Sequence, residues 1–179
     1  MNTRPSRYHA GVVALHWLLA GLIVLALAMG TLSLEPLPNS SPDKIGALRA
    51  HMIVGVVIGG LMLLRLLARV RTAAPLPAST NRPGLDKMGR AAHIGLYLAV
   101  FAMAASGAAT AWQAGLPDIV FGGGAGPLPE TFSGLVPRAV HGAVAKLLMA
   151  LVALHVMGAL FHQVGLKDRL MSRMWFGRP

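Results

Sequence analysis

Three long stretches of this sequence contain no Lys, Arg, Asp or Glu, and they constrain the fold more than any other feature. They are Tyr8–Leu34, Ala91–Pro117 and Leu147–Leu166. A fourth apolar run, Ala50–Leu64, is flanked by Arg49 and Arg65, whose side chains can extend to a membrane surface. A helix needs about 20 apolar residues to cross a bilayer. The sequence therefore predicts an all-α bundle of four transmembrane helices, at about 10–33, 48–69, 91–112 and 139–165.

The composition indicates that lipid surrounds most of this fold. Only 12% of the 179 residues are charged, whereas a soluble domain has about 25%. The formal net charge of +10 would suggest nucleic-acid binding in a soluble protein. Here it fits the edges of membrane spans, and we predict no nucleic-acid partner. The chain has no cysteine, which excludes disulfides, cysteine-ligated iron–sulfur clusters and thioether-attached haem.

The segments between the apolar runs have the composition of loops. Residues 34–47, 70–89 and 113–137 contain most of the prolines of the chain, and proline ends helices and favours turns. The sequence shows no internal repeat and no second domain. We therefore expect residues 1–179 to form one integral domain in the lipid bilayer.

The distribution of basic residues predicts the orientation of the bundle. Twelve of the 16 Lys and Arg residues lie in the N-terminal segment, the second connection with its helix ends, and the C-terminal segment. Because cytoplasmic segments carry an excess of Lys and Arg, both termini are predicted to be cytoplasmic. The first span, preceded by Arg4 and Arg7, loosely imitates a secretory signal. Its apolar run is longer than the core of such a signal and contains His16, so we expect it to be retained.

Four histidines lie inside the predicted spans, at two depths. His16 and His155 lie toward the cytoplasmic ends of helices 1 and 4. His51 and His141 lie just inside the outer ends of helices 2 and 4. Fourteen residues of helix advance about 21 Å and return to within about 40° of the same face, so two histidines of helix 4 share a face. The depths therefore predict two stacked pairs, one between helices 1 and 4 and one between helices 2 and 4.

Each pair offers two imidazoles, the number of axial ligands that haem iron takes in addition to its porphyrin nitrogens. Zinc would want about four ligands, and no carboxylate or cysteine lies near either pair in the sequence. A single intramembrane histidine can also be a hydrogen-bonded interior residue, but four matched by depth favour ligands. Gly55, Gly142 and Gly158 lie within four residues of a proposed ligand and would let a haem ring approach.

Arginines near the helix ends are candidate contacts of the haem propionates. They are Arg49, Arg65, Arg69 and Arg138. Each of them can equally be an ordinary anchor of a helix end at the membrane surface.

Two further histidines are candidates for a quinone site. His162 follows His155 by seven residues, close to the predicted cytoplasmic surface. A histidine there could donate a hydrogen bond to a quinone headgroup and deliver protons after its reduction. His93 lies on the same side, at the predicted start of helix 3. Either residue can also be an ordinary interfacial polar residue.

Several strings resemble the bacterial cytochrome b561 family, which comprises four-helix di-haem b proteins of the inner membrane. They are ALHW in helix 1, RAHMIVG and RLLARV at the two ends of helix 2, AHIGLY in helix 3, and VHGAVAKLLMALVALH followed by FH in helix 4. Their order and spacing cover nearly the whole chain. The resemblance implies that His16 and His155 hold a haem b near the cytoplasm. It implies that His51 and His141 hold a second one near the periplasm, and that His162 lies at a quinone site.

The resemblance also implies an activity. One member of the family is a superoxide oxidase, which takes electrons from superoxide and reduces ubiquinone. This chain would then be an oxidoreductase with superoxide or another periplasmic electron donor as its partner. Steering an anion favours a positive surface, yet the predicted outer side carries four basic and four acidic residues, which leaves the donor open. Two alternatives remain: a haem b subunit linking a hydrogenase or dehydrogenase to the quinone pool, and a histidine-lined transporter without haem.

Overall fold

The fold is an all-α bundle, seen in a computed structural model that describes residues 5–122 and 126–176. Four helices are long and apolar enough to cross a membrane, which confirms the predicted fold class. The elements are α1 (Ala10–Ala28) with a π-helical extension (Met29–Leu34), α2 (Asp43–Arg71), α3 (Pro83–Gln113), α4 (Leu116–Phe121), α5 (Val136–Leu160) with a π-helical extension (Phe161–Leu166), and a short 3₁₀ helix (Leu170–Met174). Arg4 and Arg178, which the orientation argument counted, lie outside the described residues.

The spanning helices extend beyond the apolar runs from which they were predicted. Helix α2 begins at Asp43 rather than at residue 48, and α3 begins at Pro83 rather than at residue 91. Asp43 in the first turn of α2 interacts favourably with the positive end of the helix dipole. Pro83 occupies the first turn of α3, where its missing N–H costs no helical hydrogen bond. Hydropathy marks the part of a helix that lies in lipid, whereas these residues determine where the helix begins.

The two ends of the bundle differ, and we name them by the segments they contain. The terminal end contains residues 5–9, 72–82 and 167–176, and the distal end contains residues 35–42, 114–122 and 126–135. The C-terminal segment is tied down at the terminal end, because the Trp17 side chain donates to the Met174 carbonyl at 2.7 Å. The Tyr8 N–H donates to the Arg173 carbonyl at 3.2 Å. Residues 5–9 and 167–176 therefore lie on the same side of the bundle.

The core of the bundle lies at the meeting point of the four long helices. Buried side chains from all of them form one cluster: Leu19, Ile58, Met62, Ala99, Val100 and Leu148. Many other large apolar side chains point outward, and Val56 is 77% exposed. An apolar outer surface is stable when hydrocarbon rather than water surrounds it. The packing of α5 against α3, of α1 against α2 and of α2 against α3 determines which residues face the interior.

The distal end is closed by the short helix α4, which packs against α2 through Leu48 and Val120. Arg49 donates two hydrogen bonds to the Val120 carbonyl, at 3.0 and 2.6 Å. Lys44 is buried and donates to the carbonyls of Leu34 and Leu37, each at 2.6 Å. Two of the four basic residues on this side therefore bind backbone carbonyls within the protein.

Candidate functional site

The structure brings the four span histidines together as two pairs at two depths. The ring centroids of His16 on α1 and His155 on α5 are 6.1 Å apart, and the ring planes form an angle of 74°. The ring centroids of His51 on α2 and His141 on α5 are 6.2 Å apart, at 81°. All four side chains are half-buried. The first pair lies toward the terminal end and the second toward the distal end.

The separation within each pair suits two imidazoles that bind one metal ion from opposite sides. Imidazole nitrogens bind first-row metal ions at about 2 Å, so the centres of two opposed rings lie about 6 Å apart. Both measured separations agree with this value. Among residues 5–122 and 126–176, no group of three or more His, Cys, Asp or Glu side chains could hold a metal ion. The donor set therefore fits a cofactor that needs two axial ligands.

Hydrogen bonds fix the tautomer of His141. Its Nδ1 atom lies 3.2 Å from the Met103 carbonyl oxygen and 3.2 Å from the Ser106 hydroxyl. A carbonyl only accepts, and the Ser106 hydroxyl donates its proton to the Ala102 carbonyl at 2.6 Å. The Nδ1 atom of His141 is therefore the protonated one. The Nε2 atom keeps its lone pair, which is the state that a metal-binding imidazole requires.

The ring of His51 has a different environment. Its Nδ1 atom is buried and has no hydrogen-bond partner in the described part of the chain. A buried polar atom without a partner costs roughly 1–3 kcal/mol. This observation argues against the interpretation of His51 as an ordinary hydrogen-bonded interior residue. It favours a role as one half of a ligand pair with His141.

Two glycines lie against the distal pair, and one of them makes room for it. A Cβ atom at Gly107 would lie 3.1 Å from Cε1 of His141, and one at Gly30 would lie 3.8 Å from Cε1 of His51. A side chain at Gly107 would therefore displace the imidazole. The glycines chosen from the sequence differ in their surroundings. A Cβ atom at Gly55 or Gly158 would meet no protein atom within 4 Å.

A third glycine from the sequence analysis lies against an arginine. A Cβ atom at Gly142 would lie 3.1 Å from a guanidinium nitrogen of Arg138. The charge of Arg138 acts on both His51 and His141. Gly142 thus gives space to a basic side chain at the distal pair.

The other arginines chosen from the sequence already have partners within the protein. Arg65 donates a hydrogen bond to the Tyr97 hydroxyl and stacks over its ring at 5.3 Å. Its Nε atom is buried and without a hydrogen-bond partner in the described ranges, and its charge acts on the terminal pair. Arg69 stacks over the Tyr8 ring at 5.0 Å. Arg49 binds α4 as described above, so Arg65 and Arg138 are the two arginines associated with the histidine pairs.

The two candidate quinone-site histidines lie in different surroundings. The ring centroid of His93 is 5.2 Å from that of His155, and His93 lies ten residues inside α3 rather than at its start. His162 lies in the π-helical extension of α5. Its Nδ1 atom is 2.5 Å from Oδ2 of Asp168.

Sequence reasoning missed three residues that lie against the histidines. Ser106 and Gly107 lie in an uncharged, small-residue stretch of α3, and nothing in that stretch signals that it faces α5. Asp168 is one of six acidic residues and lies in a basic C-terminal segment. Its isolation among positive charges is the one signal that could have identified it.

The fold and the site together define a helical membrane protein with two opposed histidine pairs at two depths. The chain belongs to the prokaryotic cytochrome b561 family, whose profile matches residues 7–177. Membership identifies a bacterial inner-membrane protein with several spans that binds haem b and functions in membrane electron transfer.

Three relatives span nearly the whole chain. The chain is 32% identical to cytochrome b562 of Cereibacter sphaeroides over 176 residues, which cover 96% of this chain and 97% of that protein. It is 30% identical to cytochrome b561 homolog 2 of Escherichia coli over 178 residues, which cover 95% and 92%. It is 25% identical to a probable superoxide oxidase, CybB, of Yersinia pestis over 171 residues, which cover 94% and 95%.

Proposed function

We propose that this protein holds two haem b groups and passes electrons from a periplasmic donor, superoxide, to ubiquinone. The observation that carries the proposal is the presence of two opposed histidine pairs with ring separations of 6.1 and 6.2 Å. Haem b bound at each pair would supply a one-electron redox centre. The relative named as a probable superoxide oxidase supports superoxide as the donor.

Side chains of this protein would bind and orient the two haem groups. His16 and His155 would hold the group nearer the terminal end, and His51 and His141 the group nearer the distal end. Met103 and Ser106 keep His141 in the tautomer that presents Nε2. Arg65 at the terminal pair and Arg138 at the distal pair place positive charge where propionates would be neutralised. The apolar side chains of the bundle exclude water from the space between the two levels.

The distal end is the proposed face for the donor. Arg138 acts electrostatically on both distal histidines, and its charge would attract an anion toward them. Lys146, about two turns further along α5, is exposed. The other two basic residues of the distal side are Lys44 and Arg49, which bind the backbone carbonyls of Leu34, Leu37 and Val120.

The terminal end is the proposed face for ubiquinone. An open cleft of about 440 Å³ lies there, lined in part by Gln163, Arg169, Trp175 and Phe176. Its volume lies within the range of about 300–1,000 Å³ that small-molecule sites occupy. His162 directly precedes Gln163 and lies two helical turns beyond His155. A quinone headgroup here would have aromatic contacts, a hydrogen-bond donor and access to protons from the terminal side.

A haem b subunit that receives electrons from a partner protein is the second candidate. The balanced charge of the distal side, four basic and four acidic residues, favours it, because a superoxide funnel would be expected to be positive. It predicts purification with a larger hydrogenase or dehydrogenase subunit.

Anaerobically purified protein tests the proposal. Its reduced visible spectrum should show b-type haem. With enzymatically generated superoxide as the sole donor, ubiquinone reduction should require the protein, and superoxide dismutase should abolish it. Colourless protein would contradict haem binding and favour the transporter alternative. Coloured protein that reduces ubiquinone only with a partner subunit would favour the second candidate.

A further inference from the structure

We propose that Asp168 is a positioning residue that orients His162 as the proton donor to the reduced quinone. This inference rests on the proposed quinone reduction at the terminal end. It assigns a role to a carboxylate that sequence reasoning did not select. It also names the atom from which a proton leaves, Nε2 of His162.

Asp168 is held in place through both of its carboxylate oxygens. Oδ2 lies 2.5 Å from Nδ1 of His162, and Oδ1 accepts the backbone N–H of Leu170 at 3.0 Å. The Asp168 N–H donates to the His162 carbonyl at 3.3 Å. The side chain and backbone of Asp168 thus both bind the same histidine.

The backbone on either side of Asp168 takes an uncommon conformation. Lys167 and Arg169 both have φ of +55°, the left-handed region that residues other than glycine seldom adopt. Each such residue is strained unless the surrounding structure supports it. The hydrogen bonds of Asp168 supply that support, so this turn is built around the carboxylate.

The charges around Asp168 keep it ionised. Partial burial acts to raise its pKa, but hydrogen bonds from His162 and Leu170 and the charge of Arg173 outweigh burial, so the pKa lies below its usual range. Lys167 and Arg169 flank it in the chain, and Arg7 lines the same cleft as Gln163 and Arg169. A carboxylate in this setting accepts the Nδ1 proton and does not itself deliver one.

The proton balance follows from this arrangement. A carboxylate on Nδ1 fixes the ring and holds the Nδ1 proton, which leaves Nε2 as the nitrogen that takes up a proton and gives it away. Conversion of quinone to quinol takes two electrons, which the proposed donor supplies one at a time, and two protons. His162 gives the Nε2 proton to a quinone oxygen, keeps Nδ1–H on Asp168, and regains the lost proton from water at the terminal end. A second turnover of the same ring supplies the second proton.

The test is the rate at which a short-chain ubiquinone oxidises pre-reduced protein at neutral pH, followed at the haem absorption band in H₂O and in D₂O. In Asp168→Asn the rate should fall about tenfold or more, because the ring no longer holds Nε2 in a fixed position for proton transfer. The fall should be larger in D₂O, since proton transfer then limits the rate. Asp168→Glu should restore most of the original rate.

The matched control is Asp86→Asn. Asp86 lies in the first turn of α3 and accepts hydrogen bonds from Ser79 and Thr80, and in the described part of the chain it binds no histidine. Its replacement should leave the oxidation rate unchanged. An Asp168→Asn rate equal to that of the control would overturn the inference.

A second measurement separates this inference from the proposed function. The ¹⁵N chemical shifts of the His162 ring report which nitrogen carries the proton. We expect a proton on Nδ1 in the unchanged protein, whether or not Nε2 also carries one, and a proton shared between Nδ1 and Nε2 in Asp168→Asn. Reduced protein that no quinone oxidises at any pH would overturn the proposed function. Ring shifts identical in the two proteins would overturn the positioning role of Asp168, whether or not quinone is the acceptor.

Discussion

The Nδ1 atom of His141 and the carbonyl oxygen of Met103 are 3.2 Å apart, and this contact joins α5 to α3 at the depth of the distal histidine pair. Ser106 adds a second acceptor at the same distance. The ring is thereby held with Nδ1 toward α3. Orientation of a ligating imidazole through its other nitrogen commonly accounts for a 10–100-fold difference in metal affinity.

Ser106→Ala removes one of the two acceptors and leaves Met103 in place. We therefore expect haem affinity at the distal pair to fall by about tenfold, the low end of the range for such contacts. Titration of haem into haem-depleted protein measures the affinity. Ser133→Ala, at an exposed serine of the distal loop, is the control and should bind haem as the unchanged protein does. Equal affinity in the two variants would contradict the role of Ser106.

Gly107→Ala should weaken haem binding at the distal pair. The new Cβ atom would lie 3.1 Å from Cε1 of His141, so the ring must shift by a few tenths of an ångström from the position in which it faces His51. Gly59→Ala is the matched control in a neighbouring helix, because its Cβ atom would meet that of Ala104 at an ordinary 3.7 Å. Haem content per chain after purification measures the effect. Two haems in the Gly107→Ala protein would show that the space is not required.

Tyr97→Phe should destabilise the bundle at the terminal pair. The Tyr97 hydroxyl accepts a hydrogen bond from Arg65, whose Nε atom is already buried without a partner in the described ranges. Loss of the acceptor should cost about 1–3 kcal/mol, seen as a lower Tm in detergent.

Tyr8→Phe is the comparison for that variant. Arg69 stacks over the face of the Tyr8 ring, and phenylalanine keeps that face. The Tm of this variant should change little. A Tyr97→Phe protein as stable as Tyr8→Phe would show that the hydrogen bond contributes nothing.

Acidification should loosen the C-terminal segment. The pKa of Asp168 is lowered in the folded protein, so its contribution to stability is present above the ordinary Asp value of about 3.9. That contribution is lost as pH falls through the lowered value. Hydrogen exchange of residues 167–176 should therefore accelerate as the pH falls. The acceleration should be larger in the unchanged protein than in Asp168→Asn. A constant ratio of the two exchange rates from neutral to acid pH would refute this linkage.

The sequence predicted the spans because hydropathy and depth vary along one dimension, the helix axis. The pairing of His16 with His155 and of His51 with His141 was predicted from depth along this axis. These residues lie opposite each other in the structure. Helix ends depend on single residues such as Asp43 and were predicted less well. The sequence pattern contains no information on how α3 is rotated against α5.

That rotation decides which side chains support the histidines. Ser106 and Gly107 are neighbours on α3, and one binds the His141 ring while the other gives it space. Apolar side chains surround both residues and give no periodic signal. Similarly, the contact of Asp168 with His162 depends on a turn with two left-handed residues, which no local sequence preference predicts.

Haem stoichiometry in single histidine variants tests the central claim most directly. We expect two b-type haems per chain in the unchanged protein, measured by pyridine haemochrome against protein concentration. His51→Ala and His141→Ala should each lose the same spectral component, and His16→Ala and His155→Ala should each lose the other. One haem per chain, or variants of a pair that lose different components, would contradict the account.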